Sequence, residues 1–268
     1  MRQKGVEYRT IDKSRAARIY THLKSHIAPP KHTIQVLGTN GKGSTGRFLS
    51  LMLMQNGASV VHFTSPHIFK FSERFYKNGA IIGDDELTKA HRFLQGFAVV
   101  AECSYFEYAT FLALALAQNA DYLILEAGVG GELDSTSVIP REMCVFSVID
   151  YDHIEILGDS IEAIATTKLN AVFYPNRVKK MILGEQKYKI VEKIAREIAK
   201  AHNITLYSSN LSLDLHSADL ANRHKARTQS PLSLCQFQKP RKPNRKSFRC
   251  KFRFAESRNK MQNLARGA

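Results

Sequence analysis

A glycine-rich turn between an apolar strand and a helix constrains this chain more than any other segment. The composition of residues 33–37 (TIQVL) predicts a short buried strand, residues 38–43 a turn, and residues 44–56 a helix that Gly57 can end. A second strand is predicted over residues 59–63. A strand, a helix and another strand in such close succession form a βαβ unit, which is almost always right-handed, so a parallel sheet is expected.

The alternation of apolar strands and helices continues to about residue 208. It predicts helices over residues 84–101, 106–119, 161–168 and 186–202, and strands over residues 122–125, 144–149, 180–183 and 205–207. Because the strands are uniformly apolar, helices should cover both faces of the sheet. The predicted fold class is therefore α/β, with a doubly wound, mostly parallel sheet.

The net charge of +15 is concentrated in the last part of the chain. Residues 217–268 hold 14 Lys and Arg against two acidic residues, which leaves 25 against 22 in residues 1–216. The basic segment also lacks an apolar periodicity of 2 or 3.6, so we expect a poorly ordered tail. A nearly neutral body gives no reason to expect a nucleic-acid partner, although binding of nucleic acid by the tail itself stays an alternative.

Nothing in the sequence indicates a membrane protein or a secreted one. No apolar run approaches the roughly 18–20 residues of a membrane span, and the first residues are polar. The four cysteines contain no CxxC pair, which argues against a zinc site or a disulfide framework. A cytoplasmic, monomeric protein with no membrane partner is expected.

The glycine-rich turn has the features of a phosphate-binding loop. It lies between a strand and a helix, where backbone N–H groups and the helix N-terminus converge on an anion, and Lys42 adds a positive charge. Its spacing differs from the common phosphate loop, since Gly43 separates Lys42 from Ser44. A flexible turn is the alternative. The predicted phosphate-binding residues are Gly38, Thr39, Asn40, Gly41, Lys42, Gly43 and Ser44.

With this loop, the sequence resembles a known family, the dihydrofolate synthase/folylpolyglutamate synthases, which form the folate branch of the Mur-type ligases. GTNGKGS is similar to the phosphate loop of that family, and other blocks follow in the family's order. These blocks are FTSPH (63–67), Glu73-Arg74 with Asn78-Gly79, Tyr105-Phe106-Glu107 with Thr110, LEAGVGG (125–131) with Leu133-Asp134, and Asp152-His153 with EILG (155–158).

Three of these residues follow the ends of predicted strands, at the edge of an α/β sheet where ligands bind: Ser65, Glu126 and His153. The resemblance implies that Ser65 and Glu126 hold the Mg²⁺ that bridges the ATP phosphates, and that Glu126 and His153 hold a second one. Hydroxyl and carboxylate oxygens suit Mg²⁺, whereas histidine is a less usual ligand. Taken alone, Ser65 could be a turn residue and His153 part of a solvated loop, but a glutamate ending an apolar strand has no simple structural reason.

Lys168 matches the lysine that the family carries as a carbamate. The alternative is a lysine that complements the dipole of its helix. The chain has Leu169-Asn170 where the family has Ala-Gly, and Glu132 and Ser137 also depart from the family's pattern.

The resemblance implies an ATP- and Mg²⁺-dependent ligase. In this family ATP converts a substrate carboxylate to an acyl phosphate, and the amine of L-glutamate then attacks it to form an amide. The acceptor would be dihydropteroate or a folate, and the implied catalytic residues are Lys42, Glu126, His153 and Lys168. Positive charge at the loop is what phosphoryl transfer requires. The implied substrate-binding residues are Glu73, Arg74, Phe106, Glu107 and Asp134.

The domain organisation predicted from this resemblance is an ATP-binding domain over residues 1–216 and the basic tail over residues 217–268. The family has a further C-terminal domain, for which we find no counterpart after residue 208, so we expect a truncated or frameshifted coding sequence. Two alternatives stay open. One is a nucleotide-binding fragment without full activity, and the other is a Mur-type ligase that acts on a cell-wall precursor.

Overall fold

The computed structural model describes Asp12 and residues 14–208, and in this part of the chain eight strands form one sheet. The strands are β1 (His32–Leu37), β2 (Val60–Phe63), β3 (Phe75–Lys77), β4 (Ala80–Ile81), β5 (Tyr122–Glu126), β6 (Met143–Phe146), β7 (Lys180–Leu183) and β8 (Thr205–Ser208). The α-helices are α1 (Arg15–Leu23), α2 (Lys42–Gln55), α3 (Asp84–Gln95), α4 (Tyr105–Leu116), α5 (Ile154–Leu157), α6 (Ile161–Leu169) and α7 (Lys189–His202). Short 3-10 turns cover Phe71–Arg74, Ala98–Glu102, Ser135–Val138 and Asn170–Phe173.

The sheet is mostly parallel, as predicted. Its strand order is β4-β3-β2-β5-β1-β6-β7-β8, and the six strands from β2 to β8 in that order are parallel to their neighbours. Towards one edge of the sheet, β3 pairs antiparallel with β2, and the edge strand β4 pairs antiparallel with β3. Because β5 and β6 flank β1, the carboxyl ends of these three strands lie side by side, which is the position where open α/β sheets bind ligands.

Helices cover both faces of the sheet, which confirms the doubly wound prediction. On one face Leu53 of α2 packs with strand residues such as Val36 and Ile124. The alternate strand residues point to the opposite face, where Leu123 lies in a core with α1, α3 and α4, and Phe146 in a core with α6 and α7. This alternation explains why the central strands are apolar throughout.

Several predicted boundaries were wrong. The helix predicted over residues 84–101 ends at Gln95, since Gly96 caps it and Phe97 is extended. Helix α2 begins at Lys42 rather than residue 44, strand β6 ends at Phe146 rather than residue 149, and α4 and α7 are each shorter than predicted.

Helix α1, the one-turn helix α5 and the hairpin of β3 and β4 were not predicted. The hairpin turns at Asn78 and Gly79, whose φ angles of 47° and 97° match the two-residue turn that Asn-Gly favours. The side chain of Asn78 also accepts a hydrogen bond of 2.8 Å from the backbone N–H of Val60.

Every helix in residues 14–208 is too short or too polar to cross a membrane. The predicted basic tail, residues 217–268, lies outside the described residues, and so does the predicted boundary at residue 216.

Candidate active site

The predicted phosphate loop connects the carboxyl end of β1 to the N-terminus of α2. Gly41 caps the helix with a φ of 81°, and Gly38 has a φ of 136°. A methyl group on Gly38 would lie 2.2 Å from Oγ of Ser147, so this position requires glycine. The N–H groups of the first helical turn have no carbonyl partner within the helix, and they are therefore available to an anion.

Two residues of the loop anchor it to the segment after β6. The backbone N–H of Thr39 donates to the carbonyl of Val148 at 2.7 Å, and that of Asn40 donates to the same oxygen at 3.3 Å. The Thr39 hydroxyl donates to the carbonyl of Asp150 at 2.9 Å and accepts from its N–H at 3.0 Å. Thr39 and Asn40 thus fix the loop, while the amides of the first helical turn remain for a ligand.

Two lysines place their ammonium groups at the start of the loop. Nζ of Lys42 donates to the carbonyls of Gly38 (3.2 Å) and Thr39 (3.1 Å), and Nζ of Lys168 donates to the carbonyl of Gly38 (3.2 Å). Burial and the charge of Lys42 lower the pKa of Lys168 to about 8, against the opposing effect of Asp152 and Asp134. Lys168 is only 2% exposed, so it belongs to the site and not to an exposed helix end.

The carboxylate of Glu126 lies beside the loop, as the sequence predicted. It accepts hydrogen bonds from the Thr64 hydroxyl and, at 3.2 Å, from the N–H of Ser65. A methyl group on Gly43 would lie 3.3 Å from Oε2 of Glu126, so the helix passes directly over this carboxylate. Burial raises the pKa of Glu126, while the Thr64 hydroxyl and the charge of Lys42 oppose that effect. The carboxylate and the loop lysine therefore share one site.

Sequence reasoning missed Thr64 as a member of this site. Its hydroxyl bonds to Glu126, and a methyl group on Gly43 would lie 3.0 Å from it. The available signal was its place at the end of β2, next to Ser65, where parallel strands bring their carboxyl ends together.

The structure places the other two predicted metal ligands differently. The backbone N–H of Ser65, and not its hydroxyl, donates to the carboxylate of Glu126. His153 is the N-cap residue that precedes α5; it has a left-handed conformation, and its Nε2 lies 3.4 Å from Oδ1 of Asp152. Asp152 in turn acts electrostatically on Lys168, so His153 lies on the lysine side of the site. Its role as a metal ligand stays a prediction.

The residues at the loop fit a nucleotide accompanied by Mg²⁺. Oxygen atoms of Glu126 and Thr64 lie together beside the loop, and glycine at position 43 adds no side chain over the carboxylate. The hydroxyl of Ser65 as a further ligand stays a prediction. Among residues 14–208, no three His, Cys, Asp or Glu side chains are grouped so as to hold a metal by themselves. Mg²⁺ commonly takes one or two carboxylates and completes its shell with phosphate and water, so the single carboxylate of Glu126 beside a phosphate loop suits it.

The three carboxylates predicted to bind the substrate accept hydrogen bonds from backbone N–H groups and so order loops. Glu73 accepts from the N–H groups of residues 68, 69 and 70 at 2.8–3.3 Å. Glu107 accepts from Nε of Arg15 at 2.8 Å and from the N–H of Ser104 at 2.7 Å. Asp134 is buried and accepts from the N–H groups of residues 128, 129 and 136 at 2.8–2.9 Å. Direct contact of these three with a substrate stays a prediction.

The other two predicted substrate residues line the same edge of the sheet. Arg74 is buried, donates from Nε to Nδ1 of His67 at 3.0 Å, and lies with its guanidinium 5.2 Å from the centre of the Tyr105 ring. The Phe106 ring lies so close to the loop after β5 that a methyl group on Gly128 would be 2.7 Å from it. Both therefore border the loops around Glu126.

Comparison with known proteins shows which family the chain matches. Residues 36–241 match the family described as Mur ligase middle domain. Among curated relatives, the dihydrofolate synthase/folylpolyglutamate synthases of Haemophilus influenzae and Bacillus subtilis are each 38% identical, over 53% and 56% of this chain. The chain spans about a third of the length of these relatives, 33% and 38% respectively.

Solved structures of the same kind share the fold. The crystal structure of Helicobacter pylori folylpolyglutamate synthetase aligns with a TM-score of 0.71 and 38% identity, over 91% of this chain and 66% of that one. Escherichia coli FolC in complex with DHPP and ADP aligns with a TM-score of 0.66 and 27% identity, over 77% of this chain and 49% of that one. The fold, the phosphate loop and the matched residues lead to one conclusion: the chain belongs to the Mur ligase family and carries its middle domain.

Proposed function

We propose that this chain is the ATP-binding part of a ligase that joins L-glutamate to dihydropteroate or to a folate through an amide bond. The observation that carries the proposal is the position of Glu126, whose buried carboxylate lies under Gly43 of the phosphate loop and within the electrostatic influence of Lys42. The names of the curated relatives and the DHPP and ADP bound by the Escherichia coli protein support the choice of substrates.

The chain's own residues would bind and orient the phosphates. The amides of the first turn of α2 and the ammonium group of Lys42 supply positive charge, and Lys42 would exchange its bonds to the carbonyls of Gly38 and Thr39 for bonds to phosphate. Lys168 donates a hydrogen bond to the carbonyl of Gly38 and so keeps the loop in place. Ser65, Glu126 and His153 are the proposed ligands of Mg²⁺, which when bound would neutralise phosphate charge during transfer.

In the proposed reaction, a carboxylate oxygen of the acceptor attacks the γ-phosphorus of ATP, and ADP leaves. The amine of glutamate then attacks the acyl carbon, inorganic phosphate leaves, and the amine gives up a proton as the amide forms. Such phosphoryl transfer depends on positioning and on charge stabilisation, which a rigid loop with two lysines can supply.

The acceptor is proposed to lie along residues 71–78 and the start of α4. Arg74 and Phe106 face this edge, while Glu73 and Asp134 order the loops that border it. The ATP-binding domain is proposed to extend over residues 1–216.

An assay of the 268-residue chain tests the proposal. The chain is incubated with ATP, Mg²⁺, glutamate and either dihydropteroate or tetrahydrofolate, and the amide product and inorganic phosphate are measured. Lys42→Ala should abolish ATP binding and product, whereas Lys89→Ala, which changes an exposed lysine on α3, should change neither. ATP binding without an amide product would favour the inactive fragment, and product with a muramyl-type acceptor would favour a cell-wall ligase.

A further inference from the structure

Helix α2 approaches the sheet unusually closely at two glycines of its first two turns. A methyl group on Gly43 would lie 3.0 Å from the hydroxyl of Thr64, and one on Gly46 would lie 2.3 Å from Nε2 of His62. Residues three apart lie on the same face of a helix, so both glycines face the sheet. The helix can lie at this height only because neither residue has a side chain.

The group beneath Gly46 is an unusual occupant of a protein core. His62 lies in β2, is completely buried, and within the described residues neither of its ring nitrogens has a hydrogen-bond partner. Burial, together with the charge of Arg47, lowers the pKa of His62 to about 3, so the ring is neutral. An aliphatic side chain would avoid burying two unsatisfied polar atoms, and packing energy alone therefore does not explain a histidine here.

The surroundings hold this ring in a fixed place. Tyr76 pairs with His62 across the neighbouring strand, and the guanidinium of Arg47, the residue after Gly46, lies 3.5 Å from the centre of the Tyr76 ring. The imidazole thus has the helix backbone above it and a strand on each side. A flat ring in this position acts as a rigid spacer between α2 and β2.

We propose that His62 and Gly46 form a positioning pair that sets the height of α2 above the sheet, and with it the distance from the phosphate loop to Glu126. This inference rests on the proposed function. A helix moves as a rigid body over one turn, so a displacement at Gly46 carries Gly43 and the amides of the loop with it. A methyl group on Gly43 would already be in contact with Oε2 of Glu126, at 3.3 Å, so α2 lies close to this carboxylate.

The displacement can be sized from the contact itself. The methyl group of an alanine at position 46 would lie 2.3 Å from Nε2 of His62 and must move away to the usual separation of non-bonded atoms. Since that separation is about 3.5 Å, the helix must rise by roughly 1 Å. A misplacement of that size at a site that positions phosphate reduces function by about tenfold to a hundredfold.

Nucleotide affinity measures this displacement directly. The dissociation constant of ATP with Mg²⁺ is measured by titration calorimetry for the unmodified chain, for Gly46→Ala and for the double variant Gly46→Ala/His62→Ala, and thermal unfolding is recorded for each. Gly46→Ala should weaken binding by about tenfold or more, and the double variant should return to within about threefold, because the smaller residue makes room for the methyl group. Gly83→Ala is the matched control, since a methyl group there meets nothing within 4 Å.

Equal ATP affinity in folded Gly46→Ala and in the unmodified chain would overturn the inference, as would a loss that His62→Ala does not restore. Should Gly46→Ala fail to fold, His62→Phe supplies a larger spacer, which should weaken ATP binding in a folded protein. Unchanged affinity in that variant would overturn the inference too. Absence of ATP binding by the unmodified chain would instead refute the proposed function, and the inference with it.

Discussion

Replacing Lys168 with methionine should stabilise the folded chain near neutral pH while weakening its affinity for ATP. The ammonium group is buried beside a second lysine, and within residues 14–208 its one hydrogen bond is to the carbonyl of Gly38 at 3.2 Å. Methionine is similar in length, has no charge to desolvate, and cannot donate to that carbonyl. Removal of the buried charge should raise stability, and loss of the bond to Gly38 should disturb the loop, so the two roles of Lys168 can be measured separately.

The magnitude follows from the pKa of Lys168, which falls from 10.5 to about 8. At about 1.4 kcal/mol per pH unit, the charged group destabilises the folded state by roughly 3 kcal/mol at neutral pH. Loss of the hydrogen bond to Gly38 offsets about 1 kcal/mol of that gain. The net gain of about 2 kcal/mol corresponds to a rise in Tm of about 4–8 °C for a domain of this size.

The difference in stability between Lys168→Met and the unmodified chain should depend on pH. Between pH 8 and 10.5 the unfolded state binds more protons at Lys168 than the folded state does. The unmodified chain should therefore gain stability as the pH rises through this window, and the advantage of Lys168→Met should disappear by its upper end.

Thermal unfolding at several pH values, followed by circular dichroism, compares Lys168→Met with the exposed control Lys89→Met. The reasoning is refuted if Lys168→Met is less stable at pH 7 by an amount that does not change up to pH 10.

Three further substitutions have expected outcomes. Glu126→Gln should reduce amide formation by about a hundredfold or more. Because burial raises the pKa of this carboxyl, the variant should also be at least as stable as the unmodified chain at pH 7, and the difference in stability should shrink as the pH falls. The exposed control Glu197→Gln should change neither amide formation nor stability. Gly38→Ala should lower the free energy of unfolding in urea by about 2–4 kcal/mol, since its methyl group would meet Ser147 and its φ is positive, and an unchanged midpoint would contradict this. Asp134→Ala should lower that free energy by about 3–5 kcal/mol, because three backbone N–H groups lose their acceptor, and a loss below about 1 kcal/mol would argue against this role.

The features that sequence could predict are those that depend on local order along the chain. The strand, loop and helix around Lys42 are consecutive, and their glycines mark the turn. Glu126 could be placed beside them because it ends a parallel strand, and parallel strands share an edge for their carboxyl ends. Thus the fold class and the centre of the site followed from residues 33–63 and the ends of the apolar strands.

The features that sequence missed depend on contacts between distant residues. Arg15 and Glu107 are 92 positions apart, and Lys168 and Gly38 are 130 positions apart, so no local pattern indicates either contact. A carboxylate in a matched block, such as Asp134, looks like a substrate ligand until the backbone amides that surround it are located. The fit of His62 beneath Gly46 likewise requires the register of two elements in three dimensions.

A crystal structure of the chain with a non-hydrolysable ATP analogue and Mg²⁺ tests the central claim most directly. The account predicts the phosphates on the amides of the first turn of α2, Nζ of Lys42 turned from the carbonyls of Gly38 and Thr39 to a phosphate oxygen, and the carboxylate of Glu126 bound to the metal ion. A nucleotide bound elsewhere on the sheet, with Glu126 still bonded only to Thr64 and Ser65, would contradict it.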